Sequence, residues 1–155
     1  MLENQMESDK MIEISEADFP ELPEIAALER EIFPDAWSLK SLEETWEQKN
    51  AAIFVAKTKE GMAGYLIFYY VLEEGEIARI ATAHSVRRQG AASQMFRKLL
   101  DFCREQKITR IMLEVRENNE AARQFYGKCG FTKDGIRRNY YENPKENAVL
   151  MSVNL

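Results

Sequence analysis

The chain has 155 residues and a mass of 18.0 kDa, enough for one domain with a sizeable core and too short for two. Hydrophobic residues make up 45% of the chain and charged residues 30%, and this balance excludes a disordered protein. The net charge of -5 argues against direct nucleic-acid binding over the whole surface and suits a basic substrate, although it leaves room for a local basic groove that binds an anion.

The composition also argues against membrane and metal proteins. No apolar run approaches the ~20 residues of a membrane-spanning helix, and the first ten residues lack the regions of a secretory signal. We therefore expect a soluble, cytoplasmic protein with no membrane partner, a flexible tail at residues 1–10 and a single domain at 11–155. Cys103, Cys129 and His84 lack the spacing of a zinc site, so no metal is expected. The two cysteines are predicted to be buried thiols, and nothing indicates an oligomeric state.

The first third of the chain predicts a strand followed by two helices. Residues 11–14 are mostly apolar and suit a short strand. A helix that ends before Pro34 is predicted by residues that recur at helical spacing, namely Leu22, Ile25, Ala26, Glu29, Ile32 and Phe33. Ser38 is a suitable cap for a second helix, with Leu39, Leu42 and Trp46 on one face.

The rest of the chain alternates between strand and helix patterns. Apolar strands are predicted near 53–56 and 62–72, as a hairpin, and a third strand of the series is predicted at 76–82. A helix from residue 91 separates the last of these from a strand at 109–115, so the two strands should be parallel neighbours. A short helix before Gly130 and two strands, near 131–141 and 148–155, complete the order β-α-α-β-β-β-α-β-α-β-β. This order indicates an α/β (α+β) fold, a mixed sheet with helices on its faces.

The turn before the helix at residue 91 is a candidate phosphate site. A helix N-terminus presents unpaired N–H groups and a positive dipole end, small residues allow close approach, and arginines add charge. The turn is neither a Walker A loop nor a GxGxxG motif, and a solvated basic turn is the alternative interpretation. The residues concerned are Arg87, Arg88, Gln89, Gly90, Ala91, Ala92 and Ser93.

This turn resembles the Gln/Arg-x-x-Gly-x-Gly/Ala pyrophosphate loop of the GNAT superfamily of N-acetyltransferases, with Arg87, Gly90 and Ala92 at the three positions. The resemblance implies a mixed, mostly antiparallel central sheet flanked by helices, with a parallel strand pair that splays at the acetyl-CoA site. It also implies that the pantetheine arm of acetyl-CoA pairs like an added strand with the backbone of Ile80, Ala81 and Thr82. His84 stands just before the loop and is interpreted as a turn residue rather than a catalyst.

Glu114 is a charged residue inside an otherwise apolar predicted strand. It can face outward, pair with an arginine, or act as a general base, since amide formation needs a neutral amine and most amines are protonated at pH 7. Tyr126 on the next helix can donate a proton to a leaving thiolate, or be a core aromatic beside Phe125. Because Cys129 has no histidine partner in the pattern, transfer is expected to be direct, without a covalent enzyme intermediate.

A longer resemblance links the chain to the bacterial ribosomal-protein-alanine N-acetyltransferases of the RimI type. It rests on Leu-Glu-Val-Arg-x-x-Asn-x-x-Ala-x-x-x-Tyr-x-x-x-Gly-Phe at 113–131, Gly-Ile-Arg-Arg-Asn-Tyr-Tyr at 135–141, and Ile-Phe-Pro-Asp-Ala-Trp-Ser at 32–38. It implies that Glu114 accepts a proton, that Tyr126 donates one, and that Asn119 contacts acetyl-CoA, the co-substrate.

The same resemblance implies acetylation of the N-terminal alanine of a small-subunit ribosomal protein, whose N-terminus is then the expected partner. Trp37, Tyr140 and Tyr141 are interpreted as lining the peptide entrance or as closing the sheet. The basic pair Arg137 and Arg138 is interpreted either as binding a CoA phosphate or as facing water. Two alternatives stay open, a GNAT enzyme for a small amine such as a polyamine or amino sugar, and a non-catalytic acyl-CoA sensor.

Overall fold

The structure, a computed structural model, describes residues 11–84 and 90–155. The predicted tail at 1–10 lies outside these residues. Within them, strands and helices follow one another in the predicted order, with an additional 3-10 turn at Phe19–Glu21. The strands are β1 (Glu13–Glu16), β2 (Ala51–Thr58), β3 (Gly61–Val71), β4 (Glu74–Thr82), β5 (Arg110–Arg116), β6 (Thr132–Tyr141) and β7 (Glu146–Asn154). The helices are α1 (Leu22–Ile32), α2 (Leu39–Glu47), α3 (Ala91–Gln106) and α4 (Glu120–Lys128).

The strands form one sheet in the order β1-β2-β3-β4-β5-β7-β6. Neighbouring strands are antiparallel except β4 and β5, which are parallel because α3 carries the chain back between them. The predicted mixed, mostly antiparallel sheet and its parallel pair are confirmed.

The parallel strands β4 and β5 separate along their length. Pairing starts at Glu74 with Arg110 and stops at Ile77 with Leu113. Beyond that point β4 stays paired with β3, and β5 stays paired with β7. The two strands therefore diverge, as the resemblance implied, and the sheet opens between residues 78–82 and 114–116.

A β-bulge in β4 lies at the start of this opening. Ile77 pairs with Phe68 and Arg79 pairs with Ile67, which leaves residue 78 without an opposite residue on β3. The extra residue shifts the alternation of side chains. Ile77 packs in the core beneath α3, whereas Arg79 contacts Glu29 on α1.

Apolar side chains form a separate core on each face of the sheet. One core joins α3 and α4 to the sheet through residues that include Met95, Leu99, Tyr126, Phe54 and Leu113. The other joins α1 and α2 to the opposite face through residues that include Ile25, Leu42, Val55, Tyr65 and Ile67. Strand β2 alternates between them, as expected for a strand covered on both sides.

The sequence signals at helix ends have the predicted effects. Residue 33 is extended, as expected before a proline, and α1 stops at Ile32. The Ser38 hydroxyl accepts from the Ser41 N–H at 3.1 Å and caps α2. Gly130 ends the turn after α4 at a φ of +97°, which favours glycine.

The predicted apolar face of α2 is wrong in part. Leu42 is buried, but Leu39 and Trp46 are exposed, and Thr45 is the other buried residue of the helix. Trp46 instead packs edge-on against Phe19, with ring centroids 5.3 Å apart, and its indole N–H donates to a backbone carbonyl at 2.9 Å. The 3-10 turn that carries Phe19 was not predicted, so the pattern offered no partner for this tryptophan.

None of the helices in the part of the chain that the structure describes is long and apolar enough to cross a membrane. Among the same residues, no group of three or more His, Cys, Asp or Glu side chains is placed to hold a metal ion.

Candidate active site

The opening between β4 and β5 presents a free backbone edge. Residues 80–82 are paired with β3 on one side and have lost β5 on the other. Backbone groups on such an edge can bind an extended amide-bearing chain. Ile80, Ala81 and Thr82, the predicted pantetheine-binding residues, all lie on this edge.

Helix α3 is the first helix after β4 and begins at Ala91. Gly90 precedes the helix at a φ of +85°, a left-handed conformation that glycine adopts without strain. Ala91 is buried, and Ala92 and Ser93 are half-buried in the first turn, where helix N–H groups are left without intrahelical acceptors. Of the predicted phosphate loop, Arg87, Arg88 and Gln89 lie outside the described residues.

Glu114 lies on β5 directly after the point where β4 leaves it. Its neighbours Leu113 and Val115 point into the core under α3, so Glu114 points to the opposite face. The side chain is 21% exposed, and the guanidinium of Arg137 lies 3.3 Å from Oε1. Pairing with an arginine and a role as a base were alternative interpretations of this residue, and the structure shows the pairing.

Tyr140 and Glu76 lie within reach of the same carboxylate. Interaction with Glu114, chiefly hydrogen bonding, raises the pKa of the Tyr140 phenol. Glu76 is exposed, but partial desolvation and then the negative charge of Glu114 raise its pKa, and Arg137 partly opposes this increase. Glu76 was predicted only as the first residue of a strand and not as a residue of the site.

Tyr126 lies on α4 in the core beneath the sheet. It is 6% exposed and packs against Phe125 and Phe131, with ring centroids 5.5 and 5.6 Å away. Burial raises the pKa of its phenol well above the ordinary value, so the group keeps its proton. No hydrogen bond to the Tyr126 hydroxyl occurs among the described residues, which leaves that hydroxyl available as a donor.

Tyr141 links the two sides of the site electrostatically. Burial and the charge of Glu114 raise the pKa of Tyr141 to about 12, while Arg116 and Arg79 oppose the increase. The Arg116 guanidinium lies 4.4 Å from the centre of the Tyr141 ring. Tyr141 also contributes to the raised pKa of Tyr126. The structure thus brings Glu114, Tyr126 and Tyr141 into one electrostatic neighbourhood at the opening of the sheet.

The other two predicted acceptor residues, Tyr140 and Trp37, have different surroundings. Tyr140 is 45% exposed and contacts Tyr141 edge-on at 5.0 Å. Trp37 is half-buried against the α1–α2 core, and its backbone N–H donates to Glu29 at 2.9 Å. Trp37 therefore helps to close a core, which is one of the two interpretations of this residue.

Asn119 has a structural role at the start of α4. Its side-chain oxygen accepts from the N–H of Ala122 at 3.2 Å and caps the helix. The side chain is exposed, and its amide NH₂ group can donate hydrogen bonds to a ligand.

Arg137, Arg138 and the cysteines can be assigned more closely than the sequence allowed. Arg137 pairs with Glu114 and lies 4.9 Å from the Tyr140 ring, while Arg138 is exposed.

Burial raises the pKa of Cys103 to about 12 and also raises that of Cys129. The prediction of two buried thiols is wrong for Cys129, which is only half-buried. Neither thiol is set up as a nucleophile.

The sequence did not predict the buried ion pair between Glu29 and Arg79. Glu29 appeared only as one member of the apolar face of α1. A carboxylate at a helical core position is the signal that could have pointed to a buried partner.

Comparisons with known proteins identify the family. The sequence profile of the Acetyltransferase (GNAT) family matches residues 22–131. The chain is 31% identical over 146 residues to the ribosomal protein bS18-alanine N-acetyltransferase of Haemophilus influenzae, which covers 92% of this chain and 97% of that protein. It is 33% identical over 94 residues to the protein of the same name from Salmonella typhimurium, 59% of this chain and 64% of that one.

A solved structure supports the same assignment. The crystal structure of the ribosomal-protein-S18-alanine N-acetyltransferase from Escherichia coli matches with a TM-score of 0.86 at 29% identity, and the match covers 93% of this chain and 94% of that chain. The chain therefore belongs to the GNAT family and is an acetyl-CoA-dependent N-acetyltransferase.

Proposed function

We propose that this enzyme acetylates the α-amine of a protein N-terminus, and that its acceptor is the N-terminal alanine of a small-subunit ribosomal protein. The observation that carries the proposal is the position of Glu114, a half-buried carboxylate at the point where β4 and β5 separate. The names of the relatives from Haemophilus influenzae and Salmonella typhimurium support the choice of acceptor.

The residues around the opening fit acetyl-CoA, which supplies an activated thioester carbonyl when bound. The free backbone edge at 80–82 would hold the pantetheine arm. The start of α3, from Gly90 to Ser93, and the preceding Arg87, Arg88 and Gln89 would hold the pyrophosphate, and Asn119 would contribute its amide.

Glu114 would take the proton that the acceptor must lose. An N-terminal amine is largely an ammonium at neutral pH, and it attacks only after deprotonation. A carboxylate that is partly shielded from water, with an arginine and a phenol to orient it, can accept this proton directly or through a water.

Tyr126 would serve the opposite step, in which a thiolate leaves. Because burial raises its pKa, the phenol stays protonated at any pH at which the enzyme works. A protonated donor without an internal hydrogen bond can stabilise the developing thiolate by donating to sulfur.

Trp37, Tyr140 and Tyr141 would border the acceptor. They lie on two separate segments, the connection from α1 to α2 and the end of β6. Aromatic side chains suit the uncharged backbone of a peptide, and the nearby carboxylates of Glu114 and Glu76 suit its cationic end.

A thiol-release assay with acetyl-CoA tests the proposal. The acceptors are a peptide that starts with Ala, the same peptide with a blocked amine, a blocked peptide with an internal Lys, and spermidine. Thiol release with the free Ala terminus alone is expected. Release with spermidine alone would keep the fold and chemistry but contradict the proposed acceptor, and binding of acetyl-CoA without release to any acceptor would favour a sensor.

A further inference from the structure

Glu29 is a buried carboxylate on the inner face of α1. It is 0% exposed, and no other charged side chain among the described residues is fully buried. The Tyr65 hydroxyl donates to Oε1 at 2.5 Å, and the Arg79 guanidinium donates to both oxygens, at 2.8 and 3.0 Å. These bonds compensate the buried charge and tie α1 to β3 and β4.

The same pair also holds the segment 33–37, which connects α1 to α2. The Trp37 N–H donates to Oε2 of Glu29 at 2.9 Å, and Arg79 donates to the backbone oxygen of Asp35 at 3.1 Å. The guanidinium lies 3.7 Å from the centre of the Phe33 ring. One buried ion pair thus contacts every second residue of the segment, at Phe33, Asp35 and Trp37.

Arg79 reaches this segment from the part of β4 that has left β5. The bulge at residue 78 turns its side chain toward α1. The next three residues are the free edge proposed to bind pantetheine, and the charge of Arg79 also acts on Tyr141. One ion pair therefore connects the proposed cofactor strand to the segment with Trp37.

We propose that Glu29 and Arg79 are positioning residues that hold segment 33–37 in place as one wall of the acceptor site. They govern acceptor affinity more than the rate of transfer, because they contact the wall and not Glu114 or Tyr126. The inference rests on the proposed function, which assigns Trp37 to acceptor binding.

Arg79→Lys tests the proposal without removing the buried charge. Lysine keeps a positive charge beside Glu29 but cannot donate at once to two carboxylate oxygens and a carbonyl. We expect KM for an Ala-starting peptide to rise about tenfold, which is about 1.4 kcal/mol, with kcat changed less than about twofold. Acetyl-CoA affinity, measured by calorimetry, should stay within about twofold of the unaltered protein. Arg79→Met would leave Glu29 unpaired and is expected to unfold the protein.

Tyr65→Phe is the matched control. It removes a hydrogen bond to the same buried carboxylate, from β3, but it breaks no bond to segment 33–37. We expect a lower Tm with an unchanged KM. If both variants raise KM in step with their loss of Tm, or if neither raises KM, the ion pair is structural only and the proposal is wrong.

A fluorescence measurement tests the position of the wall without any acceptor. The chain has two tryptophans, so a Trp46→Phe background leaves Trp37 as the reporter. Arg79→Lys should increase acrylamide quenching of Trp37, and Tyr65→Phe should not. Equal quenching in the two variants would overturn the inference whatever the enzyme acetylates. Absence of acetylation by the unaltered protein would overturn the proposed function, but it would leave the anchoring of the segment intact.

Discussion

The guanidinium of Arg137 lies 3.3 Å from the carboxylate of Glu114, although β7 separates the strands that carry them. The same guanidinium lies over the ring of Tyr140. Arg137 is half-exposed, so the ion pair contributes little to stability. Its consequence is geometric, because it orients the proposed proton acceptor toward the tyrosines of β6.

Glu114→Gln is expected to lower kcat by roughly a hundredfold or more, the usual contribution of a general base. Glutamine keeps the size of the side chain but cannot accept the proton of the ammonium. Acetyl-CoA affinity should change less than about twofold, since Glu114 is proposed to contact the acceptor amine and not the cofactor. Steady-state kinetics and calorimetry measure the two effects.

Glu73→Gln is the control for charge alone. It removes the same charge at an exposed position of the turn between β3 and β4, and it should leave kcat unchanged. A Glu114→Gln variant with the unaltered rate at neutral pH would show that the carboxylate is not the base.

Tyr126→Phe is expected to separate activity from stability. The hydroxyl is buried among aromatic rings and has no hydrogen bond to lose within the described residues, so its removal should leave Tm unchanged or raise it. The loss of a proton donor should lower kcat by about tenfold or more. A fall in Tm that matches the fall in activity would instead indicate a structural role for the hydroxyl.

The elements and their order could be predicted because each depends on a local signal. The cap at Ser38, the proline after α1 and the glycine after α4 act within one helical turn. The splay of β4 from β5 was implied by resemblance and not by periodicity, since the residue pattern along each strand does not show where its pairing with the other strand stops.

The partners of the charged residues could not be predicted in the same way. Glu29 and Arg79 are 50 residues apart, and Glu114 meets Arg137 across an intervening strand. Such contacts depend on the bulge at residue 78 and on the insertion of β7 between β5 and β6, neither of which leaves a composition signal. Trp46 was wrongly predicted to lie on the apolar face of α2 for a related reason, because its partner Phe19 lies on a turn that was not predicted.

Gly90→Ala is expected to weaken acetyl-CoA binding by about tenfold through backbone strain. The φ of +85° disfavours any residue with a Cβ, whereas an added Cβ would itself meet only the end of the Gln94 side chain, at 3.9 Å. Gly127→Ala is the control, since that glycine lies within α4 in open space and its replacement should stabilise the helix. Equal cofactor affinity in both variants, measured by calorimetry, would contradict the placement of the phosphate loop.

Glu76→Gln is expected to raise Tm at pH 7 and to have little effect at about pH 4 and below, where glutamates become protonated. Partial desolvation and the charge of Glu114 raise the folded-state pKa of Glu76 above its value in the unfolded chain. The ionised form therefore destabilises the folded protein at neutral pH, and this penalty disappears as the pH falls through the folded-state pKa. Thermal denaturation at the two pH values measures the difference.

Glu74→Gln is the control for this effect, because it removes the same charge two residues earlier on β4. Both glutamates are exposed, but the Glu74 carboxylate lies 3.8 Å from the guanidinium of Arg110, so its replacement should not raise Tm at pH 7. The double variant Glu76→Gln/Glu114→Gln should gain less than the sum of the single variants, since each substitution relieves the same repulsion. If Glu74→Gln stabilises the protein as much as Glu76→Gln does, the gain comes from the net charge of -5 and not from the carboxylates at the opening of the sheet.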